Sequence, residues 1–230
     1  MSVLSEWDII NELGKGIFIY PFNFQGGEDH SIRGCCLCLR ASEYAYRFTI
    51  NQQTRKKEAV LCYEQDLDGN KLIRIPAQKT AILWTNESVF LGNYLCGSLH
   101  SKVKLVSQGL GHIGTRVNPN YGGILAIALH NLSDEDILIK VGETIAYLRI
   151  HRLNSKSSLG KSRDSAGRFS DAIPEGCPTP SELQSWIEDQ HNLWRKGDPE
   201  EIRKVLEASS HYQKAKDELK KKIYRLPFSW

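Results

Sequence analysis

Cysteine is the residue type whose spacing first invites chemistry. Six are present, and three fall together in Cys35-Cys36-Leu37-Cys38. Thiolates grouped this closely can hold a soft metal ion. A tetrahedral site, however, is built from C-x-x-C pairs or from histidines at matching spacing, and this cluster lacks that spacing. The stretch Gly34-Cys35-Cys36-Leu37-Cys38-Leu39 reads as a strand. Neighbouring side chains on a strand point to opposite faces, so Cys36 and Cys38 can share one and Cys35 cannot join them. Buried thiols in a reducing compartment are the expectation, with no metal.

The elements that would carry any site are mostly strands. Ser5 followed by Asp8 resembles a helix N-cap, with Asp shorter than the usual Glu. A short helix with one apolar side is then expected over Glu6 to Leu13, ended by Gly14 and Gly16. Short strands follow at Ile17–Tyr20, Tyr44–Ile50, Ala59–Tyr63, Leu72–Ile75, Thr80–Trp84, Ser88–Leu91 and Gly97–Leu99. Three more are expected at Ile124–Leu129, Ile137–Val141 and Ile145–Ile150. Many short strands separated by Gly, Pro and Asn point to an all-β distorted barrel or jelly roll over residues 1–153.

Composition shifts at Asn154. Residues 154–179 open with a Ser-, Lys-, Gly- and Arg-rich run and read as a flexible arm. After Pro180 the spacing becomes helical, with Leu183, Trp186, Ile187, Leu193 and Trp194 in a first helix. Gly197 stops it, and Asp198 and Pro199 start a second. Residues 180–230 therefore form an α-helical C-terminal extension, a helical hairpin. Its Trp186, Ile187, Leu193 and Trp194 either pack on the chain's own barrel or dock a protein partner.

The 230 residues carry a net charge of +3, with the basic residues spread out. A duplex nucleic-acid binder shows a denser stripe, so nucleic acid is not the expected ligand. No apolar run reaches the ~20 residues of a membrane span, and the first residues lack a signal peptide's pattern. The cytoplasm is the expected compartment.

Several segments resemble the dCTP deaminase/dUTPase superfamily, closest to dCTP deaminase-like proteins. Leu4 to Phe22 resembles the family's opening helix and "I-x-P" strand. Ile32 to Arg40 is similar to its "V-D-L-R-L" strand, with Cys38 in place of the Asp. Ile75-Pro76-Ala77 through Val89, Gly142 to Leu148, and Gly176 to Ser181 resemble further family segments, in the same order. The resemblance covers about residues 4 to 181 and implies a trimeric β fold whose nucleotide pocket lies between subunits.

The resemblance also says which residues should do the chemistry. The family's phosphate-holding "G-R-S-S" turn falls on Ser101-Lys102-Val103-Lys104. Lys102 keeps a cation, while Val103 and Lys104 lose both hydroxyls. The carboxylate that activates water in a dUTPase falls on Asn118, and the deaminase glutamate falls on Ala128. Neither can take a proton, so general base catalysis fails at both. Tyr121 could still floor a base or sugar, and Phe169 stands where the family's closing arm carries an aromatic. Asp134, Glu135, Asp136 and Glu143 read as solvated turn charges.

Two functions follow from the resemblance. The first is a non-catalytic protein of this fold that binds a nucleotide or scaffolds a homotrimer, and engages a partner through residues 180–226. Its nucleotide-binding candidates are Ser101, Lys102, Lys104, Arg116, Asn118, Tyr121 and Phe169. The alternative is an active dCTP deaminase or dUTP diphosphatase with rewired residues. Its phosphate cations would be Lys102, Lys104, Arg116, Lys161 and Arg163, and its base His100 or His112. No cofactor is expected, with Mg only alongside a bound nucleoside triphosphate.

Overall fold

The computed structural model describes residues 1–22, 30–112, 114–157, 173–177 and 179–186, together with 204, 207 and 217. The chain opens with strand β1 (Ser2–Val3) and helix α1 (Glu6–Glu12). Strands β2 (Ile17–Tyr20), β3 (Ile32–Arg33), β4 (Cys36–Ile50), β5 (Lys57–Leu61) and β6 (Tyr63–Gln65) follow. Next come β7 (Lys71–Ile75), β8 (Thr80–Leu91), β9 (Leu95–Ser101) and a short helix, α2 (Val103–Ser107). The series closes with β10 (Leu110–Gly111), β11 (Arg116–Val117), β12 (Gly122–Asn131), β13 (Ile137–Lys140) and β14 (Thr144–Arg152). Residues 181–186 are helical. Among the described residues no helix is long and apolar enough to cross a membrane.

The expected all-β architecture is present as a curled antiparallel sheet in the order β10-β12-β8-β4-β14-β9-β11. β1 adds to β14, β2 to β8, and β3 and β5 to β4; β13-β7-β6 make a separate small sheet. Strand alternation supplies the core. Leu37 and Leu39 of β4, Leu83 and Leu91 of β8, and Leu148 and Ile150 of β14 all point inward and are fully buried.

β4 is the strand that lets the sheet curl. Its residues 36–40 pair with β14, and its residues 41–46 pair with β8. At the change-over both strands carry extra residues. Ser42, Glu43 and Tyr44 fit between the pairs Ala41↔Thr85 and Ala45↔Leu83. Thr85, Asn86 and Glu87 lie between Trp84 and Ser88, which pair with Ala126 and Ile124. Such bulges bend a strand and increase its twist. Hydroxyls satisfy the backbone groups they free. Ser42 Oγ donates to the Trp84 carbonyl at 2.7 Å, and Leu125 N–H donates to Thr85 Oγ1 at 3.0 Å.

The crease is locked from inside by a buried ion pair. Arg40 Nε donates to Glu87 Oε1 at 2.6 Å, and Arg40 N–H donates to Glu87 Oε2 at 2.7 Å. Arg40 Nη2 lies 3.3 Å from Ser31 Oγ. The Glu87 side chain has no exposed surface. Burial raises its carboxyl above the usual range, and the guanidinium opposes that rise.

The structure changes some sequence expectations. The segments at 80–84 and 88–91 are one strand, broken in pattern by the bulge at Thr85–Glu87. The expected strand Ala59–Tyr63 is two, because the chain changes partners at Cys62, from β4 to β7. The expected helical hairpin is described over 181–186 and at 204, 207 and 217, all helical; most of the arm and hairpin lies outside the described residues.

The cap at Ser5 is a full capping box despite the shorter Asp. Asp8 N–H donates to Ser5 Oγ at 3.2 Å, and Ser5 N–H donates to Asp8 Oδ2 at 2.9 Å. Ser5→Ala should cost roughly 1 kcal/mol of stability. The hydroxyl and N–H of Ser5 hold the Asp8 carboxyl below its ordinary range. A depressed carboxyl stabilises above its unfolded pKa and loses that contribution as pH falls through the folded value. Melting temperatures taken from about pH 5 down to about pH 3 should therefore drop more for the parent than for Ser5→Ala.

Candidate functional site

The turn after β9 brings together part of the expected phosphate group. Ser101, the last residue of β9, has its Oγ 2.7 Å from His112 Nδ1. Burial holds the His112 imidazole below its usual pKa, so the ring is neutral at pH 7. Lys102 is the N-cap residue of α2 and makes no side-chain cap. Val103, at a lost hydroxyl position, points out and is 80% exposed. A five-residue helix was not legible in the sequence, since it is too short to show a period.

Both lysines are already paired. Lys102 Nζ lies 3.2 Å from Glu143 Oε1, and Lys104 Nζ lies 3.5 Å from the same oxygen. Glu143 sits in the turn that enters β14, and its backbone carbonyl accepts from Ala41 N–H at 2.9 Å. Its side chain is 20% exposed, which corrects the reading of Glu143 as a solvated turn charge. Asp136 is likewise engaged, by Arg74 Nη1 at 3.3 Å and by Ala77 N–H at 3.0 Å. The Glu143 carboxylate thus faces both of the ammonium groups expected to hold a phosphate. Glu143→Gln should therefore raise affinity for inorganic pyrophosphate severalfold by calorimetry, with the gain shrinking as salt is added. An unchanged affinity would show that the pairing does not limit anion access.

The turn that links β11 to β12 positions the next group. Arg116 is exposed and opposite Ser98, while Val117 turns inward. Asn118 is half-buried, and its carbonyl accepts from Tyr121 N–H at 3.2 Å. Asn120 takes φ 57, a left-handed conformation that Asn tolerates, and so closes the turn. Tyr121 is a core residue. It is buried among the inward-facing side chains, and its hydroxyl donates to the Ile124 carbonyl. The aromatic expected as a floor for a base or sugar thus braces the turn into β12.

Ala128 lies on the outer face of β12, opposite Ile82 of β8. Two residues earlier on the same face, Ala126 pairs with Trp84. This outer face is apolar: Tyr46, Trp84 and Ile124 are buried there, with Tyr44, Phe48, Ile82 and Ala126 around them. The Tyr46 and Trp84 rings meet edge to face at 6.1 Å. Burial pushes the Tyr46 hydroxyl up to about 12.

The chain roofs this face itself. Leu183, in the helical segment 181–186, is fully buried in the same cluster. Trp186 stacks on Tyr44 with ring centroids 4.5 Å apart and planes at 21°. The half-buried Trp186, a partner-binding candidate from its sequence, is thus placed against the chain's own sheet. Phe169, Ile187, Leu193, Trp194, Lys161 and Arg163 lie outside the described residues. One sequence signal pointed to the roof. Tyr44, Tyr46 and Phe48 are aromatic on one face of a strand whose other face carries Ala45 into the core, a pattern of strands covered on both sides. Among the described residues, no group of three or more His, Cys, Asp or Glu could hold a metal ion.

A family model described as dCTP deaminase-like matches residues 3–153. No curated protein matches this chain. Among solved structures, the 2'-deoxycytidine 5'-triphosphate deaminase from Agrobacterium tumefaciens is similar, with 10% identity and a TM-score of 0.51. The match covers 68% of this chain and 49% of that one, so the chain spans about half the length of that neighbour. A dUTPase from Streptococcus mutans aligns with 12% identity over 63% of this chain and 100% of its own, with a TM-score of 0.39.

Proposed function

Because the chain belongs to the dCTP deaminase-like family, as the match over residues 3–153 shows, we propose that it is a non-catalytic member acting as a scaffold. The observation that carries this reading is the outer face of β12. Where the resemblance puts a proton-shuttling glutamate, Ala128 stands on an apolar surface roofed by Leu183 and Trp186. Asn118 in the turn before β12 offers no base, and Glu143 already engages Lys102 and, more loosely, Lys104. These features favour scaffolding over nucleotide binding. The scaffold is a homotrimer, and the partner contact falls to the extension beyond Trp186.

Thermal melts with dCTP and dUTP test this reading. A ligand that binds only the native state raises the melting temperature as its concentration rises. No shift is expected with either nucleotide, and three-chain particles are expected by light scattering. A concentration-dependent rise overturns the scaffold reading, and a stable monomer overturns the assembly. One observation favours the enzyme alternative: neutral His112 lies within hydrogen-bond reach of Ser101, next to Lys102. Product formed by the parent and lost in His112→Gln would establish it.

A further inference from the structure

β3 and β4 are joined by only two residues, Gly34 and Cys35, between the pairs Ile32↔Leu37 and Arg33↔Cys36. Gly34 takes φ +58 at the first central position, as a tight hairpin turn of this kind requires. The turn sets Cys35 at a half-exposed tip, with Cys36 buried beside it. Neighbouring strand residues normally point apart, but the turn brings these two sulfurs to 3.8 Å. Arg149 of β14 stands directly opposite Cys36 in the ladder. Its guanidinium lies near enough to act electrostatically on both Cys36 and Cys35. Arg149 Nε is buried and has no hydrogen-bond partner among the described residues.

The nearby cation opposes the rise that burial imposes on the Cys36 thiol. The third thiol of the cluster is excluded by its setting. Cys38 is 2% exposed, and burial pushes it up to about 11. Burial also raises Cys36, which leaves the half-exposed Cys35 as the sulfur that meets a reagent first.

We propose that Cys35 and Cys36 form a reversible dithiol–disulfide site oxidised by a hydroperoxide. The Cys35 sulfur attacks the peroxide oxygen and the O–O bond breaks. Hydrogen peroxide then yields one water, and Cys35 becomes a sulfenic acid. The Cys36 sulfur attacks the Cys35 sulfur, the S–O bond breaks, and the thiol proton leaves with the hydroxyl as a second water. Two electrons pass from the thiols to the peroxide. Adjacent Cα atoms lie about 3.8 Å apart, shorter than the roughly 4.4–6.8 Å usual for a disulfide. The resulting ring is strained, and strained disulfides are the readily reduced, regulatory kind.

Trypsin cuts after Arg33 and Arg40, so one peptide, residues 34–40, carries the whole cluster. The full chain is treated with stoichiometric hydrogen peroxide, alkylated, digested without reductant and weighed. The peptide should lose two hydrogens, keep one alkylatable thiol, and return to three after dithiothreitol. Cys38→Ser should leave the product unchanged and Cys35→Ser should abolish it. Arg149→Met should slow its formation about tenfold if the guanidinium promotes the thiolate. The proposal is overturned if the product survives Cys35→Ser or vanishes in Cys38→Ser, since another pair then reacts. It is equally overturned if Cys35 runs on to a sulfinic acid, or if the peptide keeps three thiols.

Discussion

Replacing Glu87 by alanine should lower the free energy of unfolding by about 3–5 kcal/mol. The variant takes from the buried Arg40 guanidinium the carboxylate it faces at 2.6 Å, and arginine cannot shed its proton to compensate. It also strips the Arg40 backbone N–H of its acceptor at the point where β4 changes partners. The loss is a large fraction of the ~5–15 kcal/mol that holds a typical domain together. Arg40→Met/Glu87→Leu together should recover most of it, since a well-packed apolar pair of similar volume replaces a buried ion pair at little net cost. Urea titrations with a common slope would measure both variants. A single-variant loss below about 1 kcal/mol would mean that water reaches the crease and that the pair behaves like a surface bridge.

Incubation with dCTP or dUTP should give no deaminated or hydrolysed product. A positioned general base contributes on the order of 10²–10⁴ in rate. On the proposed reading, Asn118 and Ala128 leave both family positions without a base, and Val103 and Lys104 leave the phosphate turn without its hydroxyls. Turnover near ~1 s⁻¹, within the ordinary enzyme range, would sink the non-catalytic reading. Restoring a carboxylate should not restore activity. Ala128→Glu would place a charge on the outer face of β12, opposite Ile82 and two residues from Ala126 of the apolar cluster, where an unpaired charge is costly. Its expected effect is a lowered melting temperature or a displaced 181–186 segment, seen as a change in near-ultraviolet dichroism as Trp186 leaves Tyr44. Deamination appearing in that variant would show that the face is open to substrate.

Local features were legible in the sequence because local physics fixes them. Ser5 and Asp8 announced the helix start, and Ile17–Tyr20 coincides with β2. The family resemblance, carried by segments such as Ile32 to Arg40, indicated the curled sheet as well. The bulges were hidden. Thr85 and Ser42 look like ordinary strand-end residues, and their hydroxyls acquire a purpose only when β12 and β8 lie alongside. Glu143 was misread for a similar reason: its partners, Lys102 and Lys104, lie far away in the chain. Trp186 could pack inward or dock outward on its spacing alone, and only the Tyr44 ring distinguishes the two.

The strand order has a consequence for how the chain reaches this state. β4 is made early, but its first half pairs with Thr144–Arg149 and its second half with Ile82–Thr85. At the other extreme of separation, Ser2 and Val3 pair with Arg152 and His151. Long loops must close before such contacts repay the entropy, so refolding should take on the order of milliseconds to seconds rather than microseconds. Through that interval Tyr44-Ala45-Tyr46-Arg47-Phe48-Thr49-Ile50 is a β-prone, aromatic stretch awaiting both neighbours, the kind of segment that pairs with copies of itself. Arg47 stands at its centre as the one charge that discourages this pairing, and that vigilance is asked of it before the native fold exists.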